Sequence, residues 1–228
     1  MKANEAALTI RRKFERTSAE LVKKFENLPT GNVCDAQGRT GALDYRIKPL
    51  SDKTHFCGTA LTVNAGPGDN LASWAALEFA KPGDVIVIST GEHLGCSAVG
   101  DLYVGMAKNA GVAAIVTDGL VRDVPGINSV GIPVFARGSS PNSPWKNGPG
   151  RVGLPIAIGG ITINAGDVVV GDQDGVVIVV REAAAEVAEA MAAVLAKEEK
   201  TATGVRAGLT VPGWLQEAYQ AKGVNFLD

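Results

Sequence analysis

Short apolar runs separated by single glycines and prolines make up most of this chain, and they predict a mixed α/β protein. Residues 84–89 and 112–116 each contain a continuous apolar run that follows a glycine, a pattern typical of strands buried on both faces. Residues 56–63 alternate well enough to predict another strand. Shorter strands are predicted at 132–136, 155–158, 161–163, 168–170 and 176–180.

Apolar positions at helical spacing predict the other elements. In the segment between Asp101 and Gly111, Asp101 is placed to cap a helix and Gly111 to end it. One face of that helix is predicted to be buried, through Tyr103, Met106, Ala107 and Ala110. Other helices are predicted at 15–27, at 32–38 for one turn, from 70 to about 80, at about 182–200 and at about 214–221.

The composition limits the classes of protein to which the chain can belong. With 228 residues, 46% of them hydrophobic, it can bury one substantial core. A net charge of −2, no basic run and 5% aromatic residues argue against a nucleic-acid partner. Three isolated cysteines indicate reduced thiols, and no apolar stretch reaches the roughly 20 residues that span a membrane. We therefore expect a cytoplasmic protein without a nucleic-acid or membrane partner.

Three charged residues are predicted to meet at one end of the sheet. Asp101 opens a helix, and Arg122 and Asp123 follow the strand that comes next in the chain. The free N–H groups at the start of the helix and the guanidinium of Arg122 could bind an anion. The carboxylate of Asp123 could bind Mg²⁺. The alternative is an exposed ion pair beside an ordinary helix cap, which contributes little to stability.

Other polar groups carry weaker signals. The turn 66–70 lacks the lysine and the third glycine of phosphate-binding loops, so we interpret it as a turn and a helix cap. Nothing around Lys146 predicts the burial that a Schiff-base lysine needs. The loop 138–153 is longer than usual, and loops of that length are often functional.

The sequence resembles the RraA-like family. The resemblance rests on GDLYVGMAKNAGVAAIVTDGLVRD at 100–123, in which 20 residues separate Asp101 from the pair Arg122 and Asp123. It is supported by GPGDN at 66–70, KPGDVIVI at 81–88 and GGITINAGDVVVGDQDGVVIV at 159–179, and it covers about 28–200. It implies one three-layer β/β/α domain of the swivelling type over 1–228, flanked by the N-terminal helix 15–27 and a C-terminal helical tail, 201–228. It also implies a homotrimer or homohexamer.

The resemblance also implies roles for individual residues. Gly100, Asp101, Leu102 and Tyr103 would bind the pyruvyl part of a small 2-oxo acid, together with Arg122. Asp123 would hold Mg²⁺ or Mn²⁺, and Asp101 and Arg122 would take part in catalysis. A third catalytic group would be a glutamate from the C-terminal helix of a neighbouring subunit, for which Glu198 is preferred over Glu199.

The family implies two functions of different classes. The first is a metal-dependent aldolase that cleaves 4-hydroxy-4-methyl-2-oxoglutarate or 4-carboxy-4-hydroxy-2-oxoadipate and also decarboxylates oxaloacetate. The second is a non-catalytic regulator that binds a ribonuclease or another protein. A third possibility is a related lyase or hydrolase that acts on another 2-oxo or sugar acid.

Overall fold

The computed structural model describes residues 6–227 and contains thirteen strands and seven α-helices in that range. The helices are α1 Ala19–Lys23, α2 Thr30–Ala36, α3 Leu71–Ala76, α4 Asp101–Asn109, α5 Val124–Val130, α6 Ala184–Arg206 and α7 Trp214–Lys222. The strands are β1 Leu8–Ile10, β2 Lys48–Pro49, β3 Phe56–Asn64, β4 Asp84–Ser89, β5 Ser97–Val99, β6 Ala114–Thr117, β7 Leu120–Val121, β8 Val134–Ala136, β9 Gly150–Val152, β10 Ile156–Ile158, β11 Ile161–Ile163, β12 Val168–Asp172 and β13 Gly175–Val179.

A central sheet runs β1-β9-β3-β4-β6-β8-β2, and β12 with β13 joins it through β3. Strands β3, β4, β6 and β8 are parallel neighbours, which is the arrangement expected for continuous apolar runs. Two small sheets lie outside this path, the antiparallel pair β10–β11 and the parallel pair β5–β7. The second of these pairs positions the site described below.

The two faces of the central sheet are covered by different kinds of element. Strand β4 shows this directly, because its side chains alternate between the two cores. Ile86 and Ile88 pack among residues of α3, α4 and α5, whereas Val85 and Val87 pack against β10, β11, β12 and β13. The structure therefore has the three layers β/β/α that the resemblance implies, and it matches the α/β fold class predicted from the sequence pattern.

A further helical layer covers the outer face of β12 and β13. Val168 and Val170 face this layer, and Phe25, Val33 and Met191 of the helical segments pack on them. Helix α6 extends well beyond Met191, its last buried residue. No helix within residues 6–227 is both long and apolar enough to cross a membrane.

The predicted helix 15–27 is wrong in its extent, since only Ala19–Lys23 is helical before a turn. The preceding residues are held by distant partners instead. The Thr17 amide and hydroxyl both donate to the carbonyl of Gly166, at 3.1 and 2.9 Å. Arg16 makes two 2.8 Å hydrogen bonds to the carboxylate of Asp84, which is 1% exposed. Tertiary contacts thus override the local helical preference of this segment.

Three other predictions need correction. Met106 is 49% exposed, because the buried face of α4 is centred on Tyr103, Val104 and Ala107 and leaves Met106 at its edge. The predicted loop 138–153 includes strand β9 at its end, paired with β1 and β3. The C-terminal helices run over Ala184–Arg206 and Trp214–Lys222, so the first is longer than predicted, and residue 228 of the predicted tail lies outside the described residues.

Candidate functional site

Parallel pairing of β5 with β7 brings the predicted site residues together. The ladder joins Ser97 to Leu120 and Val99 to Val121, and the Arg122 amide donates to the Val99 carbonyl at 3.1 Å. The carboxyl ends of the two strands therefore lie side by side. Strand β5 leads through Gly100 into helix α4, while β7 leads into Arg122 and Asp123. This corrects the sequence interpretation in one respect, because β7 and not β6 delivers the charged pair.

The two segments are so close that a side chain at position 100 would displace the charged pair. A Cβ atom there would lie 2.5 Å from Asp123 Oδ2 and 3.1 Å from Arg122 Cγ. Asp123 itself has φ +58° and ψ +41°, a left-handed conformation that aspartate and asparagine tolerate better than most residues. Its Oδ2 accepts a hydrogen bond from Arg122 Nε at 3.1 Å. The guanidinium and carboxylate thus occupy defined positions beside the start of α4.

Asp101 is the first residue of α4, and Gly100 takes the cap position that the sequence assigns to Asp101. Asp101 Oδ1 accepts from the Leu102 amide at 2.7 Å. Its carboxylate also rests on α5, because a Cβ atom at Gly126 would lie 2.3 Å from Asp101 Oδ2. The Asp101 side chain is therefore fixed between the N-terminal turns of two helices.

These groups line one cavity of about 150 Å³. Leu102 is 74% exposed, whereas Tyr103 is 1% exposed. The Tyr103 hydroxyl donates to the Ser73 carbonyl at 2.9 Å, and burial raises its pKa, so this side chain supports the site and exchanges no proton there. The wall includes all six residues to which the resemblance assigns substrate or metal binding at this end of the sheet, namely Gly100, Asp101, Leu102, Tyr103, Arg122 and Asp123, and those roles stay predictions.

Eight wall residues were not predicted from the sequence, and four of them add polar or aromatic groups from outside the β5–α4 and β7 segments. Asn70 and Trp74 come from the start of α3, and Ser143 and Lys146 from the long loop. Arg122 Nη1 donates to Ser143 Oγ, and the exposed Lys146 adds a second cation to the wall. In the sequence, only the turn 66–70 and the unusual length of the loop drew attention to these segments. Neither feature predicts that the segments meet at the cavity.

Comparison with known proteins identifies the family of the chain. The family described as RraA-like, Aldolase/RraA, matches residues 30–178. The chain belongs to the RraA-like family.

Two relatives and one solved structure show which named members of that family the chain is similar to. A protein of Halalkalibacterium halodurans, provisionally named 4-hydroxy-4-methyl-2-oxoglutarate aldolase, is 37% identical over 73% of this chain and 79% of its own. A protein of Aromatoleum aromaticum with the same provisional name is 30% identical over 65% of this chain and 94% of its own. The crystal structure of Streptomyces coelicolor RraAS2 superposes with a TM-score of 0.74 at 29% identity, covering 82% and 99% of the two chains. It is described as an unusual member of the RNase ES inhibitor RraA protein family. The similarity thus extends to aldolase-named and regulator-named RraA-like proteins.

The site fits the divalent cation that the family implies. Mg²⁺ retains several water ligands and is commonly bound by one or two carboxylates together with its substrate. Asp123 supplies one carboxylate, 44% exposed on the cavity wall. Within residues 6–227 there is no group of three or more His, Cys, Asp and Glu side chains that could hold a metal alone. The donor set therefore suits a hydrated, hard cation completed by an oxygen-bearing ligand, and it does not suit zinc.

The two C-terminal glutamates lie away from this cavity within a single chain. Glu198 accepts a hydrogen bond from Asn32 Nδ2 of α2, and Glu199 is paired with Arg206 of its own helix. Neither contributes to the wall of the cavity. The assignment of Glu198 concerns a neighbouring subunit of an RraA-like assembly, so it stays a prediction.

Proposed function

We propose that this RraA-like protein is a divalent-metal-dependent aldolase that cleaves 4-hydroxy-4-methyl-2-oxoglutarate or 4-carboxy-4-hydroxy-2-oxoadipate and decarboxylates oxaloacetate. The observation that carries the proposal is the β5–β7 pairing, which gathers a helix N-terminus, Arg122 and Asp123 around one small cavity. The two aldolase-named relatives support the reaction class. We further propose that the enzyme works as a homotrimer or homohexamer, in which Glu198 reaches the site of a neighbouring chain.

The anionic end of the substrate would bind between α4 and Arg122. The first turn of a helix carries amides without intrahelical partners and the positive end of the helix dipole. Arg122 adds a planar cation suited to a carboxylate, and Ser143 and Asp123 orient it through its Nη1 and Nε groups. A 2-oxo acid bound there would present its reacting carbon to Asp101 and Asp123.

The same groups account for the proposed chemistry. Cleavage beside a tertiary alcohol and loss of carbon dioxide from oxaloacetate both leave the enolate of pyruvate, whose oxygen must be stabilised. Mg²⁺ or Mn²⁺ held by Asp123 would stabilise that negative charge by electrophilic assistance. Arg122 would add a second positive charge in a fixed position. Asp101 would accept the proton of the substrate hydroxyl through a water molecule, at Oδ2, which has no hydrogen-bond donor among the described residues.

The first experiment is to measure pyruvate release from 4-hydroxy-4-methyl-2-oxoglutarate and from oxaloacetate, with Mg²⁺ and then with excess EDTA. We expect release from both substrates that stops on chelation and returns when Mg²⁺ is added. Pyruvate release at the same rate with and without EDTA would contradict the metal assignment. No release from either substrate by a folded oligomer would favour the second function, the protein-binding regulator that the similarity to RraAS2 supports.

Replacement of Arg122 by alanine tests the anion site. We expect the KM for oxaloacetate to rise roughly tenfold and kcat to fall as well, because the charge-assisted contact would act in both the bound and the reacting state. Steady-state kinetics with Arg12→Ala as the control give the comparison, since Arg12 is exposed and outside the cavity. Unchanged kinetics in Arg122→Ala would mean that the carboxylate is held elsewhere.

A further inference from the structure

Two wall residues on the α3 side of the cavity each carry a buried polar atom that has no hydrogen-bond partner among the described residues. These atoms are Asn70 Oδ1 and Trp74 Nε1. Asn70 is 4% exposed, and both residues belong to the same cavity wall as Arg122 and the start of α4. A buried polar group without a partner costs about 1–3 kcal/mol, so such groups call for an explanation. One explanation is a bound ligand that supplies the missing hydrogen-bond partners.

The orientation of both side chains is fixed by other contacts. Asn70 Nδ2 donates to the Ala98 carbonyl at 2.8 Å. Because a carbonyl only accepts, this bond identifies which amide atom is nitrogen and leaves Oδ1 as the unpartnered acceptor. The Trp74 ring packs edge-on against Tyr103, with centroids 5.3 Å apart. The pair therefore offers one fixed acceptor at the cap of α3 and one fixed donor four residues later in the sequence.

This combination selects a particular chemical group. A carboxylate or ketone oxygen only accepts hydrogen bonds, so it would pair with Trp74 Nε1 and be repelled by Asn70 Oδ1. An ammonium group only donates, so it would pair with Asn70 Oδ1 and leave Trp74 Nε1 without an acceptor. A hydroxyl group donates one hydrogen bond and accepts others at a single atom. It can satisfy both side chains while an attached carboxylate lies toward Arg122 and Lys146, the cations of the same wall.

We propose that Asn70 and Trp74 form a hydroxyl-binding subsite that makes the cavity selective for hydroxylated acids. The subsite itself follows from the two unpartnered atoms. Its assignment to the C4 hydroxyl of the aldol substrate rests on the proposed function. Under that function the pair would hold the alcohol whose proton is lost, whereas oxaloacetate has no such group and would leave the subsite unused.

Binding of a matched pair of ligands tests the subsite without any turnover. Malate and succinate are four-carbon diacids that differ by one hydroxyl group, and their affinities can be measured by calorimetry in the presence of Mg²⁺. We expect the wild-type protein to bind malate roughly fivefold to tenfold more tightly, the effect of one or two good neutral hydrogen bonds. Trp74→Phe removes the donor but retains an aromatic ring, and it should lower this preference to about twofold.

Ser73 provides the control, because its hydroxyl is also buried and has no partner within residues 6–227, yet Ser73 is absent from the cavity wall. Ser73→Ala should keep the preference for malate. Asn70→Leu should remove it, although loss of the bond to Ala98 can also destabilise the fold. For that reason Trp74→Phe decides the question if Asn70→Leu does not fold. Equal affinity for malate and succinate in the wild type, or an unchanged preference in Trp74→Phe, would overturn the proposal.

Steady-state kinetics then test the C4 hydroxyl assignment separately from the existence of the subsite. If the enzyme is an aldolase, Trp74→Phe should lower kcat/KM for 4-hydroxy-4-methyl-2-oxoglutarate more than kcat/KM for oxaloacetate, by roughly fivefold in the ratio. An unchanged ratio would remove the C4 hydroxyl assignment. Absence of turnover in the wild type would contradict the aldolase, and the malate preference would still decide whether the subsite exists.

Discussion

Asp123→Asn is expected to lower metal-dependent pyruvate release by about 10³-fold while leaving the protein folded. Stabilisation of a developing negative charge by a bound cation contributes several kcal/mol, and Asp123 is the carboxylate to which we assign that cation. Asparagine suits this test because it tolerates the left-handed backbone at φ +58°. The measurement is pyruvate release over a range of Mg²⁺ concentrations, with circular dichroism to verify the fold.

The control for Asp123→Asn removes a carboxylate of similar exposure elsewhere. Asp35 lies on α2, is 61% exposed and pairs only loosely with Arg39, at 3.9 Å. Asp35→Asn should retain full activity and the same dependence on Mg²⁺. Calorimetric titration of Mg²⁺ in the presence of pyruvate should show weaker binding in Asp123→Asn alone. Full activity of Asp123→Asn would remove the metal assignment and leave Arg122 as the main charged group of the site.

The charged part of the site could be predicted from the sequence because its geometry is nearly local. Helix α4 and strands β6 and β7 cover the 20 residues between Asp101 and Arg122, and the short return from β6 into β7 places the charged pair beside the start of α4. Asn70 and Lys146 could not be predicted in the same way. They reach the cavity because Trp145 exchanges backbone hydrogen bonds with Gly68 and Asn70, at 2.8 and 2.9 Å. No periodicity in the sequence encodes that contact between two loops.

The elements of the fold also differ in whether the local sequence pattern or contacts distant in the sequence determine them. The predicted strand at 84–89 corresponds to β4 without any shift, because burial on both faces of a parallel sheet demands a continuous apolar run such as that at 85–88. The region around 15–27 was predicted poorly because Arg16 and Thr17 bind Asp84 and Gly166, far away in the sequence. Strand β1, over Leu8–Ile10, has too few residues to show a period and forms by pairing with β9.

Gly100→Ala is expected to lower kcat/KM about a hundredfold, although the change adds a single methyl group. The added Cβ would lie 2.5 Å from Asp123 Oδ2 and 3.1 Å from Arg122 Cγ, so the charged pair must move. A displacement of about 1 Å at a catalytic group can cost about a hundredfold in rate. The backbone at Gly100 is extended, with φ −132°, so alanine adopts it without strain and the effect isolates the loss of space.

Gly105→Ala is the matched control for Gly100→Ala, because it adds the same methyl group five residues further along the same helix. There the nearest atom would be Val130 Cγ2 at 3.9 Å, an ordinary contact. Alanine inside a helix also restricts the unfolded chain, so Gly105→Ala should raise the free energy of unfolding by about 0.4–1 kcal/mol and leave kcat/KM unchanged. Urea denaturation and oxaloacetate kinetics on both variants separate the two effects. Equal activity in Gly100→Ala and Gly105→Ala would contradict the view that the Gly100–Asp123 contact positions the site.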